Sequence, residues 1–435
     1  MASLPKSFNL SEPIPSLPDG ATSQLITCRP ISGSSFGVNS IIEVDLGNRG
    51  WCDPKSLSIR YKVNVTSIDA SGNVVIGCPV YAPFVRLNTL VGGSVIDSIS
   101  QWNQCCSVLV AGNYDVSAKY GLASQLGFGS FTAGVTTPAT VGNMAYMDGR
   151  QDIVNGAYTY TLSAPLLGSM LASSEKQLPL FAMPQIRFQF TLDSLANIFY
   201  VEAARTFAKL PSAYQITNFE LCYSMTDMGS GVEKMVYEMG RSITIKSHGI
   251  NNSAVPIANG SNGSTSFVFN QRFASIRSAF ICPNALTASK WNEFVDATNN
   301  LGDYQILVGN QAFPQAPLSA VNNKAGILQE TRRAFGNLYD SANTMSIDAT
   351  EFAGTLNVDN TLYYEPGKFI VGVNLDKVQT GDHAMMVGTS TYNTPISVNI
   401  NFGGAVTSAG NLNLILDYDA ILVLDPVARQ LSVRS

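Results

Sequence analysis

The sequence repeats itself at a distance of half its length. Ser58-Ile59-Arg60 and Ser275-Ile276-Arg277 each sit inside an alternating apolar run, 217 residues apart in a chain of 435. Gly92, which ends a strand-like run before a helix-like one, has its counterpart in Gly309 at the same offset. Self-similarity at a fixed period constrains the architecture before any local pattern does. Two copies are too few for a solenoid, which leaves two tandem domains of one fold. The order of elements around the identities carries this reading more than the few identical residues do.

Length agrees, because single cores stop growing at about 250–300 residues. Charged residues make up only 13% of the chain, about half the usual ~25%. With 36 Gly, 20 Pro and many β-branched residues, the composition points to an all-β protein. Depletion of charge also marks surfaces that meet protein rather than water. The net charge is −5, the densest basic cluster is Arg332-Arg333, and the first forty residues hold only Lys6 and Arg29 as bases. A nucleic-acid binder displays a positive footprint, so direct sequence-specific nucleic-acid binding is not expected.

The seven cysteines are Cys28, Cys52, Cys78, Cys105, Cys106, Cys222 and Cys282, with no CxxC among them. An odd count and an adjacent pair unsuited to bridging itself read as reduced thiols, in cytoplasm or nucleus. The N-terminus lacks a charged segment followed by an apolar one, so secretion is not expected. No apolar stretch approaches the ~20 residues of a membrane-spanning helix.

Residues 1–40 are rich in Pro, Ser and Gly and read as an extended arm, ordered only where it lies on something. The first β domain is expected over 41–228. Leu57, Ile59, Tyr61, Val63 and Val65 alternate with polar residues there, as do Ile186, Phe188, Phe190 and Leu192. Ile99, Trp102, Cys106 and Leu109 fall on one helical face. The Gly/Ala/Thr-rich stretch 113–150 reads as a long loop. Val232, Met235, Val236 and Met239 predict a connecting helix over 229–241. The second domain, 242–435, repeats the order. It has a Gly/Asn/Ser loop at 249–264, strands around Phe267, Phe280, Tyr304–Val308, Phe369–Val373 and Ile396–Ile400, and a helix face of Leu328, Thr331, Phe335 and Leu338. Leu412–Leu416 and Ala420–Leu424 read as two further strands. Many short strands with one short helix inserted per half predict two tandem antiparallel jelly-roll β-sandwiches.

Chemistry is scarce. The two histidines, His248 and His383, lie in no HExxH and beside no cysteine pair, which gives a zinc site no support. Gly33-Ser34-Ser35-Phe36-Gly37 matches GxSxG but lacks the strand before it and helix after it that a nucleophile elbow needs. There is no phosphate-cradling glycine loop. Asp97, Asp296, Asp303, Asp376 and Asp382 read as turn and surface residues, Trp102 and the tyrosines as core. Asp340-Ser341-Ala342-Asn343 has the residue types of a calcium loop but not its ligand pattern. The expectation is no enzyme, no catalytic, cofactor-binding or metal-binding residues, and no cofactor.

Four stretches carry a resemblance. They are Gly92–Ile99 running into a helix, Leu178-Pro179-Leu180-Phe181 with the strand after it, Asn270–Phe280, and Tyr304–Phe335 with a turn from Gly309 to Pro314. In that order the chain resembles the double jelly-roll major capsid proteins of DNA viruses, the lineage of adenovirus hexon, tailless membrane-containing phages, virophages and polinton-like viruses. The resemblance implies a structural protein of the virion that forms homotrimers with a pseudo-hexagonal footprint and tiles an icosahedral shell. Implied partners are copies of itself in the trimer and in neighbouring capsomers, penton and minor capsid proteins, and an internal membrane. It further implies upright strands, outer loops at 113–150 and 249–264, and an arm that ties capsomers together at the base. Three other readings stay open: a single-jelly-roll capsid protein with a projection domain, a two-sandwich carbohydrate-binding or adhesin protein, and a β-sandwich hydrolase.

Overall fold

The computed structural model describes residues 20–66, 75–76, 80–115, 122–127, 152–154, 157–200, 212–238, 240, 242–285, 301–336, 345, 347, 369–377, 386–406 and 409–435. Within these, each half of the chain supplies eight principal strands. The first eight are β1 (Thr22–Cys28), β2 (Ile41–Asp45), β3 (Ser58–Thr66), β4 (Phe84–Val91), β5 (Ser94–Ser100), β6 (Ala157–Pro165), β7 (Ile186–Leu192) and β8 (Ala213–Asp227), with helix α1 (Trp102–Asn113) between β5 and β6. Helix α2 (Ser230–Glu238) follows. The second eight are β9 (Ile243–Ile257), β10 (Gly263–Phe269), β11 (Ile276–Ala285), β12 (Leu301–Val308), β13 (Gln311–Ser319), β14 (Val371–Asn374), β15 (Ile396–Phe402) and β16 (Gly410–Asp425). Helix α3 (Lys324–Ala334) lies between β13 and β14, and a last strand, β17 (Gln430–Arg434), pairs with β16.

The two halves have the same topology. In the first, β1, β8, β3 and β6 neighbour one another in that order, and a second sheet runs β2-β7-β4-β5. In the second, the orders are β9-β16-β11-β14 and β10-β15-β12-β13. Every number is raised by eight, and every pairing is antiparallel. These are the paired four-stranded sheets of a jelly roll. The repeat offset survives in detail, because β4 and β12 are both eight residues long and begin 217 residues apart. The hairpins that follow turn at Gly92 and Gly309, with φ of 58° and 60°. That left-handed conformation is open to glycine at no steric cost.

Period-two alternation builds the cores. Ile59, Tyr61, Val63 and Val65 of β3 and Ile186, Phe188, Phe190 and Leu192 of β7 are buried, as their spacing predicts. Trp102, at the start of α1, completes the first core. It packs with Tyr81, Phe84 and Phe190 at centroid distances of 5.5–5.9 Å. Ring pairs at this range attract beyond the area they bury.

Several boundaries differ from the sequence reading, each for a physical reason. Part of the 1–40 arm is strand β1, held along the end of β8 from Thr22↔Asp227 to Cys28↔Leu221. Its apolar residues do not alternate because it is largely exposed. Residues 1–19 lie outside the described residues. Ile99 lies in β5, which ends at Ser100, and α1 begins only at Trp102, after Gln101 turns the chain with φ 50°. The expected loop at 249–264 is mostly strand, since β9 runs to Ile257 and β10 starts at Gly263. Asn251, Asn252 and Ser253 are strand residues with polar partners. Pro314 belongs to strand β13 rather than to a turn. β13 is an edge strand, where proline costs no ladder bond. Leu412–Leu416 and Ala420–Leu424 form one strand, β16, bridged by Asp417-Tyr418-Asp419. Most of the 113–150 loop lies outside the described residues, as do His383, Asp296, Asp382 and Asp340–Asn343.

The last turn of α1 touches the other roll. A Cβ added at Gly112 would lie 2.2 Å from the ring of Phe335, which itself stacks on Phe280 with centroids 4.3 Å apart. Gly112→Val is therefore expected to cost about 1–3 kcal/mol, read as a lower midpoint in thermal unfolding. An unchanged midpoint would mean that this contact does not constrain the rolls.

Candidate functional site: the joint between the rolls

Trp102 does more than fill the first core. Its indole Nε1 donates to the carbonyl of Leu167 at 2.8 Å. Three residues on, the Met170 amide donates to the carboxylate of Asp97 at 3.1 Å. These two bonds fix the segment 166–176, which links β6 toward β7, against the first roll. The second roll holds the same segment from the other side. The Ser247 hydroxyl donates to the Met170 carbonyl. The Glu175 amide donates to the Lys246 carbonyl at 3.1 Å. Gly168 lies against Ile250, and Asn252 donates to Gln101 at 2.8 Å. Strand β9 is thus clamped to the first roll at main-chain level.

Beside that clamp lies a cluster of charges. Pairing in β9 and β16 sets His248 opposite Asp419. A register shift in β11 between Ile276 and Ser278 sits where Arg277 joins them. Asp419 is wholly buried and accepts from the Ser275 hydroxyl at 2.6 Å, with Lys246 Nζ 3.5 Å and His248 Nδ1 3.4 Å from its other oxygen. Arg277 Nη1 lies 3.3 Å from His248 Nδ1 and 3.8 Å from Asp417. On the first-roll side, Glu175 Oε1 is 4.0 Å from His248 Nε2.

The titration of these acids follows from their surroundings. Burial acts to raise the Asp419 carboxyl, but the nearby His248 ring, the bond from Ser275 and the charges of Lys246 and Arg277 outweigh it and hold it low. Burial pushes Asp417 up, against the pull of Arg277 and His248. Burial, with the negative charges of Asp419 and Asp417, raises Asp376 to about 6 despite Arg277 and Lys246. Burial raises Asp97 to about 7, only partly offset by the Met170 and Ser98 amides.

The joint has a second seam at α2. Tyr237 donates to the Phe181 carbonyl at 2.8 Å and accepts from Arg429 at 3.3 Å. A cleft of about 420 Å³ opens there, lined by Leu46, Phe181, Met183, Gln185 and Arg429 among others.

Asp97 and Asp376 are not the turn and surface residues expected from sequence. The structure buries the first at the joint and sets the second, half-buried, beside the charge cluster. Asp303 accepts from its cross-strand partner Asn401, 3.3 Å away on the inner strands of the β10-β15-β12-β13 sheet. Ser35 lies in a two-residue strand against β8, followed by no helix. Trp102 is core, as expected. The six described cysteines are free thiols. No group of metal-ligating residues occurs among the described residues. Asp417 and Asp419 are site residues beyond those expected from sequence, and the signal for them is two acids in the middle of a sixteen-residue, largely apolar strand.

Asp97 has a pH consequence. Its carboxyl titrates at about 7 in the fold against 3.8 for an unperturbed aspartate. The folded chain therefore binds the extra proton between those values, and stability rises as pH falls from about 7 toward about 4. Asp97→Asn should reduce the gain in urea midpoint between pH 8 and pH 5. An undiminished gain would contradict the placement of Asp97.

No family model matches the sequence, and no curated protein matches it. Solved structures match along nearly the whole chain. The Faustovirus major capsid protein is 9% identical over 95% of this chain and 92% of its own, with a TM-score of 0.63. A chain of the Sputnik virophage is 14% identical over 100% and 92%, with a TM-score of 0.59. The mavirus major capsid protein is 10% identical over 100% and 95%, with a TM-score of 0.56. At these identities the likeness is one of fold, and it spans both rolls and the joint between them. The chain has the double jelly-roll fold of viral major capsid proteins.

Proposed function

We propose that this chain is a structural major capsid protein whose copies form homotrimers and tile an icosahedral shell. The observation that carries the reading is full-length likeness to viral major capsid proteins in both rolls at once. Two rolls per chain give a trimer six similar lobes, and a six-lobed block fits a hexagonal net. Low charge, at 13% of residues, suits a surface covered largely by neighbouring protein. The chain divides in this reading into the arm 1–40, whose later part docks as β1, a first roll over 41–228, the linking helix 229–241 and a second roll over 242–435. Partners beyond copies of itself are penton and minor capsid proteins and a membrane beneath the shell. Synthesis is in host cytoplasm or nucleus, which suits the free thiols.

The matched strand order of the two halves disfavours a single roll with a projection domain. No observation favours a sugar-binding protein or a hydrolase. The test is the solution mass and negative-stain outline of the purified chain. From a subunit of 46.5 kDa, a particle of about 140 kDa with a six-sided outline is expected. A monomer that never assembles would overturn the proposal, and binding to a glycan array would then support the adhesin reading.

A further inference from the structure

His248 stands between two alternative sets of partners. Its Nδ1 lies 3.3 Å from an Arg277 nitrogen, which can only donate, and 3.4 Å from an Asp419 oxygen. One ring nitrogen cannot accept from Arg277 and donate to Asp419 at once. The neutral ring with a bare Nδ1 takes the arginine and turns its lone pair toward the Asp419 carboxylate. The protonated ring donates at both nitrogens. It then bonds Asp419 through Nδ1, repels Arg277 toward Asp417, and presents a cationic Nε2 edge to Glu175, now 4.0 Å away. Asp419 belongs to the second roll and Glu175 to the first-roll segment under β9.

The charges packed around the ring favour the second arrangement in acid. Lys246 comes from β9, Arg277 from β11, Asp417 and Asp419 from β16, Asp376 from the end of β14, and Glu175 from the first roll. Two fixed cations thus face four carboxylates. Asp97 and Tyr418 lie on the far side of the same contact. A proton on His248, and a second on Asp376, bring the cluster toward neutrality. Histidine is the side chain that ordinarily changes charge between about pH 5 and 8.

We propose that His248 is a proton-operated latch between the two rolls: on taking up a proton it bridges Asp419 of the second roll to Glu175 of the first, so that the joint is tighter in mild acid than at neutral pH. The latch is a property of the single chain and does not depend on the capsid reading. A shell built from such chains would hold each subunit more rigidly in acid and loosen it as pH rises.

Native-state hydrogen exchange of the full chain tests this directly. The readout is the peptide carrying the Glu175 amide, whose bond to the Lys246 carbonyl crosses the joint. After correction for intrinsic exchange, its opening constant should be about threefold smaller or less at about pH 5.5 than at about pH 7.5. His248→Gln keeps a polar side chain of similar reach but cannot gain the charge. It should lose at least half of that pH ratio, the remainder belonging to Asp97 and Asp376. Glu175→Gln, at a half-exposed position, should do the same and serves as the deciding variant if His248→Gln does not fold. A wild-type ratio of one overturns the latch. So does a variant that folds and keeps more than half of the wild-type ratio.

Discussion

Both rolls depend on one short piece of chain. Residues 166–176 lie between Trp102 and Asp97 on one side and strand β9 on the other, with hydrogen bonds in both directions. Without this segment the Trp102 indole and Asp97 carboxylate of the first roll, and the Ser247 hydroxyl and Lys246 carbonyl of the second, would lose these partners, which is costly where water is excluded. With it, the orientation of the second roll is set by bonds to backbone atoms. One of them, from the Glu175 amide to the Lys246 carbonyl, joins backbone to backbone and cannot relax by changing a rotamer. The contact between Gly112 and Phe335 adds a steric stop where α1 meets the end of α3.

The repeat explains the rolls and not the joint. At the 217-residue offset, Trp102 corresponds to Ser319, Asp97 to Pro314 and His248 to Ile31. The second roll therefore carries no copy of the surface with which the first roll receives it. This asymmetry has a physical use. A roll able to receive another copy of itself head to tail would make an open chain. A joint found once per chain stops at two rolls and leaves the remaining surfaces for contacts between chains. The same asymmetry places titratable groups where they are shielded from solvent, which makes the joint sensitive to protons.

The fold was legible wherever burial follows period two. β3 and β7 alternate apolar and polar residues because one face meets the core, and the Gly92 and Gly309 turns mark equal hairpins in the two halves. The joint was illegible for the complementary reason. Asn251, Asn252 and Ser253 look like a loop, yet they lie in β9, where Asn252 reaches Gln101 of the first roll. Asp417 and Asp419 split β16 into two apparent strands because their partners, Arg277, Lys246 and His248, come from strands distant in sequence. β1 was hidden because its outer face carries no apolar period, although 243 − 217 = 26 would have placed a strand there.

That the joint makes the two rolls one body is tested most directly by scanning calorimetry of the full chain. A single transition is expected, in which both rolls melt together and the calorimetric enthalpy equals the van't Hoff enthalpy. Two separated transitions, each with the enthalpy of half the chain, would show that the rolls melt independently, and would contradict it.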